Sequence, residues 1–144
     1  MAQARDILER TFRALEARDK AAALAAFAPD ALLFDPHYPQ PRMQGLAEIA
    51  EGLDWGLSVM KQFGFRTVHF FGSEDGQSGA FEIDTNHVLN TGQALSFPQV
   101  FIVETKDGLI TRLQAYEPYG PNGIGGLFLG FERLKRRFTG KKTV

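Results

Sequence analysis

Gly64-Phe65-Arg66-Thr67-Val68-His69-Phe70-Phe71 and, after a turn, Gly79-Ala80-Phe81-Glu82-Ile83-Asp84-Thr85-Asn86-His87-Val88-Leu89 mark the point where the hydrophobic period of the chain changes. Before Gly64, apolar residues recur every three or four positions, as on one face of a helix. After it they alternate, as on a half-buried strand. Ser73-Glu74-Asp75-Gly76 is the turn between these two strands. Asn90-Thr91-Gly92 leads to a third strand, Ala94 to Thr105, and Lys106-Asp107-Gly108 to a fourth, Leu109 to Tyr119. Glycine-bearing turns at such spacing mark antiparallel hairpins. Pro98 within a strand pattern implies a sheet edge or a bulge, because proline has no amide proton for the ladder.

Upstream, Ala4, Ile7, Leu8, Thr11, Phe12 and Leu15 form one face of an amphipathic helix over residues 5–17. Asp19 reads as the N-cap of an alanine-rich second helix, Lys20 to Phe27, which Pro29-Asp30 ends. Ala31 to Phe34 is a short first strand. Leu46 to Phe63 reads as a third helix, with Leu46, Ile49, Ala50, Leu53, Leu57 and Met60 on one side. Gly52 and Gly56 weaken it by up to about 1 kcal/mol each, so close packing or a bend is expected beside Trp55. Downstream of the strands, residues 120–126 are glycine-rich but lack the lysine or the spacing of a phosphate-binding loop. Leu127 to Phe138 reads as a terminal helix with Leu127, Phe131, Leu134 and Phe138 in one stripe. Three helices cannot cover both faces of a four-strand meander. The sheet should therefore curl around them as an α+β cone, in a single domain with a core over about residues 5–119.

The 144 residues suit one domain with one core. The chain is 44% hydrophobic and carries 13 Phe against 3 Tyr and 1 Trp, which points to a large apolar interior or cavity. It has no cysteine, hence no disulfide, thiolate nucleophile or cysteine metal site. The net charge of -1 is unevenly spread. Residues 131–144 hold six Lys/Arg and one acid, and the acidic remainder argues against nucleic-acid binding. No apolar run reaches the length of a membrane span and no signal peptide is evident, so a cytoplasmic protein is expected. The basic terminal helix is expected to pack its stripe on the body or on a partner copy rather than on a membrane.

Titratable groups concentrate in Phe34-Asp35-Pro36-His37-Tyr38-Pro39-Gln40-Pro41-Arg42. Its prolines fix φ and stiffen the loop without a ladder. Asp35 is a candidate general base if an apolar interior raises its pKa; the alternative is a carboxylate that caps loop amides. His37 is a candidate helper that orients Asp35 or shuttles its proton, and Tyr38 a candidate donor. Strand alternation puts Glu82, Asp84 and Asn86 on one face of the long strand and Phe81, Ile83, Thr85 and His87 on the other. On the next strand Phe97, Gln99, Phe101 and Val103 share a face. On the last, Leu113, Ala115 and Glu117 do, with Tyr119 at the mouth. Gln99 among phenylalanines is unusual for a core and is a candidate for binding a ligand carbonyl. Trp55, Met60 and Phe63 are candidate pocket walls. Asp35, His37, His69, Asp84 and His87 show no tight metal-ligand spacing, so no metal is expected.

Several short segments carry a family resemblance: Ala14-Leu15-Glu16-Ala17-Arg18-Asp19, Phe27-Ala28-Pro29-Asp30-Ala31, Asp35-Pro36 with Pro41-Arg42 and Gly45, Asp107-Gly108-Leu109-Ile110, and Gln114-Ala115-Tyr116. Together the layout resembles the nuclear-transport-factor-2-like (NTF2-like, cystatin-like) superfamily, in particular its SnoaL-like and ketosteroid-isomerase-like branches. The resemblance implies three N-terminal helices against a curved antiparallel sheet, with the C-terminal helix as an addition, and a homodimer. It implies Asp35 as the base that moves a proton α to a carbonyl. The oxyanion donors of ketosteroid isomerases fall near Thr11 and Gln99. The superfamily register would point Glu82 and Asp84 into the cone. Asp84 matches one aspartate of limonene-epoxide-hydrolase-like sites, but Glu82 and Ala115 replace the arginine and second aspartate. The resulting expectation is a small cofactor-independent enzyme acting by Asp35 on an apolar carbonyl compound, with Gln99 or Tyr38 polarising the carbonyl. The alternative is a non-catalytic ligand-binding or dimerisation protein on the same fold.

Overall fold

The structure, a computed structural model, describes residues 2–117, 131–135 and 137–140. Helix α1 runs Ala4–Glu16 and buries Ala4, Ile7, Leu8, Thr11 and Phe12, the face expected from their spacing. Helix α2 is Lys20–Leu24, and Asp19 caps it by accepting from the Ala22 amide at 3.0 Å. Strand β1 follows at Phe27–Phe34.

The second helix is therefore shorter than the alanine content suggested, and the first strand longer. The cause is tertiary pairing. Ile110 donates its amide to Ala26 O at 2.8 Å, and Phe27 lies opposite Ile110 in a parallel ladder. That ladder shifts register between Phe27 and Leu32, which takes up Pro29.

The remaining elements are β2 Arg42–Gln44, α3 Gly45–Val59, β3 Met60–Gln62, β4 Phe65–Gly72, β5 Ser78–Leu89, β6 Ala94–Lys106 and β7 Leu109–Tyr116. The third helix stops at Val59 rather than Phe63, because Met60 already pairs with Leu89 of β5. The sheet order is β2-β1-β7-β6-β5-β3, with β4 also pairing β5. β4 to β7 form the expected antiparallel meander, but the sheet as a whole is mixed, since β1 runs parallel to β7. Pro98 sits opposite Asp84 on β5, while the β7 ladder begins only at Val100. Its missing amide proton thus falls where β6 is an edge, as expected.

The helices fill the concave side. Phe12 of α1 stacks on Phe65 at 4.4 Å and meets Phe101 at 5.3 Å between ring centroids. Phe81 and Ile83 beneath it are fully buried. Arg18, with φ +59, donates from its guanidinium to the carbonyls of Leu57, Met60 and Lys61 and so closes the C-terminal end of α3. Residues 131–135 and 137–139 are helical, within the expected terminal helix. Of its expected stripe, Phe131, Leu134 and Phe138 are exposed rather than packed on the body, and Leu127 lies outside the described residues. No helix among the described residues is long and apolar enough to cross a membrane.

Candidate functional site

The concave face of the sheet, α1, α3 and the loop after β1 enclose a cavity of about 570 Å³. Its wall is mostly apolar, with Phe12, Phe63, Phe65, Phe97 and Phe101 among the lining residues. The polar lining is sparse: Thr11, Asp35, His37, Tyr38, His87, Gln99 and Glu117.

Asp35 follows the last residue of β1, and the loop folds back onto it. Its amide donates to Pro41 O at 3.0 Å, and its carbonyl accepts from the Tyr38 amide at 3.1 Å. Its Oδ1 accepts from the His37 amide at 3.0 Å, an Asx turn. Asp35 thus caps a loop amide, and it also lies on the cavity wall beside Glu117. Glu117 comes from just beyond β7. The parallel ladder sets Phe34 opposite Gln114, so the two strands deliver Asp35 and Glu117 to the same end of the cavity. His37 Nδ1 contacts Glu117 Oε2.

Burial pushes the Glu117 carboxyl up from 4.5 to about 8, and a hydrogen bond to Asp35 together with the Asp35 charge adds to the rise. Burial next to Asp35 thus favours the protonated form of Glu117. The Tyr38 hydroxyl is likewise pushed well above the usual phenol range, first by burial and then by the charges of Asp35 and Glu117. It stays a donor. Tyr38 passes across α3, where a Cβ on Gly52 would collide with Met43 Sδ and one on Gly56 would come within 3.0 Å of the Tyr38 hydroxyl. Gly52 therefore makes room for Met43, and Gly56 for the Tyr38 hydroxyl.

Gln99 is buried, and its Nε2 donates to Thr85 Oγ1 at 2.6 Å while its Oε1 has no protein partner. The β6–β7 ladder pairs Val100 with Tyr116, so one step further brings Gln99 alongside Glu117 on the inner face. Thr11 also lines the cavity, but its hydroxyl donates to Ile7 O of its own helix at 2.8 Å. Asp35, His37 and Glu117 hold ligand atoms within 4.8 Å of one another, a cluster that spacing along the sequence does not show. Such a triad is compact enough for a divalent cation.

Of the residues singled out from sequence, the cavity brings together Asp35, His37, Tyr38, Trp55, Met60, Phe97, Gln99, Phe101 and Glu117. Glu82 and Asp84 are not among them. Their strand turns Phe81, Ile83, Thr85 and His87 inward, and the two acids lie on the outer face. There Glu82 pairs with His69 and Asp84 with Arg66. The expected inward acidic row is corrected by the cost of desolvating two carboxylates, which far exceeds that of turning Thr85 and His87 in. Tyr119 lies outside the described residues. His87, weighed from sequence only as a metal ligand, lines the cavity, and Thr85 lies outside the lining but holds Gln99 from behind.

In comparisons with known proteins, the SnoaL-like domain family matches residues 8–113. No curated protein matches the chain. A Δ5-3-ketosteroid isomerase from Mycobacterium sp. superposes with TM-score 0.73 at 19% identity, over 81% of this chain and 95% of that one. A Mycobacterium tuberculosis protein, solved with estradiol-17β-hemisuccinate, gives 0.72 at 17% identity over 83% and 96%. An NTF2-like protein of unknown function from Burkholderia pseudomallei gives 0.71 at 16% identity over 82% and 92%.

Proposed function

We propose, for a chain that belongs to the SnoaL-like domain family, that it is a cofactor-independent proton-transfer enzyme acting on a small apolar carbonyl compound. The observation that carries this is the close approach of two carboxyl groups on the wall of an apolar cavity: oxygens of Asp35 and Glu117 lie within 4.8 Å of one another, and burial raises the Glu117 carboxyl. Two carboxyl groups in one site, one holding a proton and one not, are the two halves of general acid–base catalysis. A carbonyl oxygen entering beside them takes over the hydrogen bond that Glu117 gives to Asp35. Asp35 is then free to remove the α-proton, while Glu117 stabilises the enolate oxygen. Return of the proton to another carbon completes an isomerisation. Tyr38, kept protonated, is a second donor at the same end. Base and donors suffice for enolisation, so the reaction needs no metal or organic cofactor. The cavity volume and apolar wall suit a ring system of the kind that the Mycobacterium tuberculosis neighbour holds.

The test is exchange of α-protons for deuterium in a panel of cyclic ketones, followed by NMR in D2O. Asp35→Asn should slow exchange by about 100-fold or more, the usual contribution of a general base. Equal rates in wild type and Asp35→Asn overturn the reading. A non-catalytic binder is the second reading, favoured by the Asx turn that occupies one oxygen of Asp35. It predicts tight binding of such ketones with no exchange above buffer.

A further inference from the structure

We propose that His87 is a second recognition point of the cavity, whose Nε2–H donates a hydrogen bond to an uncharged oxygen of the ligand. The ligand is then a flat apolar molecule with an oxygen acceptor at each end. This rests on the proposed reading of Asp35 and Glu117 only for which end reacts.

The imidazole is fixed before any ligand arrives. Gly64 donates its amide to His87 Nδ1 at 3.1 Å, and the Gly64 carbonyl accepts from the Asn86 amide at 2.9 Å. Position 64 must be glycine for this clamp, because a Cβ there would run into Asn86 O. A ring nitrogen that accepts from an amide carries no proton, so the proton of the neutral ring lies on Nε2. Edge-on contacts hold the plane of the ring: Phe63 at 5.2 Å, Phe65 at 5.0 Å and Phe97 at 6.3 Å between centroids, each within about 11° of perpendicular. Burial lowers the imidazole to about 4, so the ring is neutral at physiological pH.

His87 is 8% exposed and lines the cavity, yet among the described residues its Nε2 has no hydrogen-bond partner. A fixed donor on the cavity wall with no protein acceptor is available to an acceptor that a ligand brings. The neutrality of the ring selects the acceptor. A ligand carboxylate would be desolvated among Phe63, Phe65 and Phe97, with no Lys or Arg among the described residues that line the cavity, whereas a ketone, ester or lactone oxygen loses far less on burial.

Phe97 separates the two polar ends. On β6 it lies between Leu95, opposite His87, and Gln99, beside Glu117, and its ring is edge-on to His37 at 5.8 Å and to His87 at 6.3 Å. The middle of the ligand therefore lies along an aromatic wall, and its second oxygen is at least a ring's width from the first.

The experiment compares two probes, 2,6-diacetylnaphthalene and 2-acetyl-6-ethylnaphthalene, which differ by one oxygen. Their dissociation constants are measured calorimetrically with wild type and His87→Phe. Wild type should prefer the diketone by about 10-fold, the value of one buried neutral hydrogen bond, and His87→Phe should bind the two alike. Because that variant also strips Gly64 of its acceptor, long-range proton–nitrogen NMR of wild type supplies an independent reading. The Nε2–H tautomer should be present, and its signal should move with the diketone and not with the monoketone. Equal wild-type affinities, no binding of either probe, a proton on Nδ1, or diketone binding that leaves the His87 nitrogens unmoved each overturns the proposal. None of these readouts requires turnover. Oxygen preference without α-proton exchange would sink the catalytic reading alone, and exchange without the preference would sink this one alone.

Discussion

Replacing Glu117 with glutamine keeps the shape of the side chain and removes one proton-binding site. The folded protein raises this carboxyl from 4.5 to about 8. Between those values the folded state holds a proton that the unfolded chain has released. Its contribution to stability is therefore fully present below the ordinary carboxylate value and is lost as pH rises through the folded one. The full shift corresponds to a ceiling of about 5 kcal/mol. The site opens at the cavity mouth and Glu117 shares its proton with Asp35, so screening reduces the expected effect to roughly 1–3 kcal/mol. His87 titrates in the opposite sense. Its value falls from 6.5 to about 4, and its contribution is lost as pH drops through that window. This term is common to both proteins and cancels in the difference. Urea unfolding of wild type and Glu117→Gln at several values between about pH 5 and 9 measures that difference. Wild type should lose stability relative to the variant across the range, most steeply between about pH 5 and 8. Parallel curves would refute both the buried, protonated Glu117 and its role as the donor.

Two further outcomes concern the scaffold, and one the chemistry. Arg18→Ala removes the guanidinium that binds the carbonyls of Leu57, Met60 and Lys61, and should cost about 1–2 kcal/mol in urea unfolding, less than a buried site because Arg18 is exposed. Phe81→Ala empties a fully buried position beneath α1 and should cost about 3–5 kcal/mol. If Glu117 must be protonated for turnover, α-proton exchange should decline as pH rises past about 8, and this decline should be absent in Glu117→Gln, measured as a rate–pH profile.

Local chemistry made much of this fold legible. The face of α1 followed from helical spacing, and the hairpins β4–β5, β5–β6 and β6–β7 followed from alternation broken by glycine turns. Non-local pairing was not legible. β2 and β3 are three residues each, too short to establish a period, and exist because β1 and β5 offer them partners. Parallel pairing of β1 with β7 joins segments some eighty positions apart and leaves no mark on either. It also converts Phe27, which reads as the end of an alanine-rich helix, into the start of a strand.

The site divides along the same line. Alternation on β5 correctly separated Phe81, Ile83, Thr85 and His87 from Glu82, Asp84 and Asn86, but alternation defines two faces without saying which is inside. Burial decides it. Phe81 and Ile83 gain roughly 1.5–3 kcal/mol each by turning inward, and two unpaired acids would lose more than that. The same choice brings His87 into the cavity. Asp35 and Glu117 were each found from sequence, one on a stiff loop and one on an inward face, yet nothing local relates them. Their meeting depends on Phe34 lying opposite Gln114. A slip of one residue would exchange the faces of β7, turning Glu117 outward and bringing the exposed Tyr116 in. The parallel ladder that closes the sheet is thus also what joins the two carboxyl groups, and their pairing can be no more stable than that register.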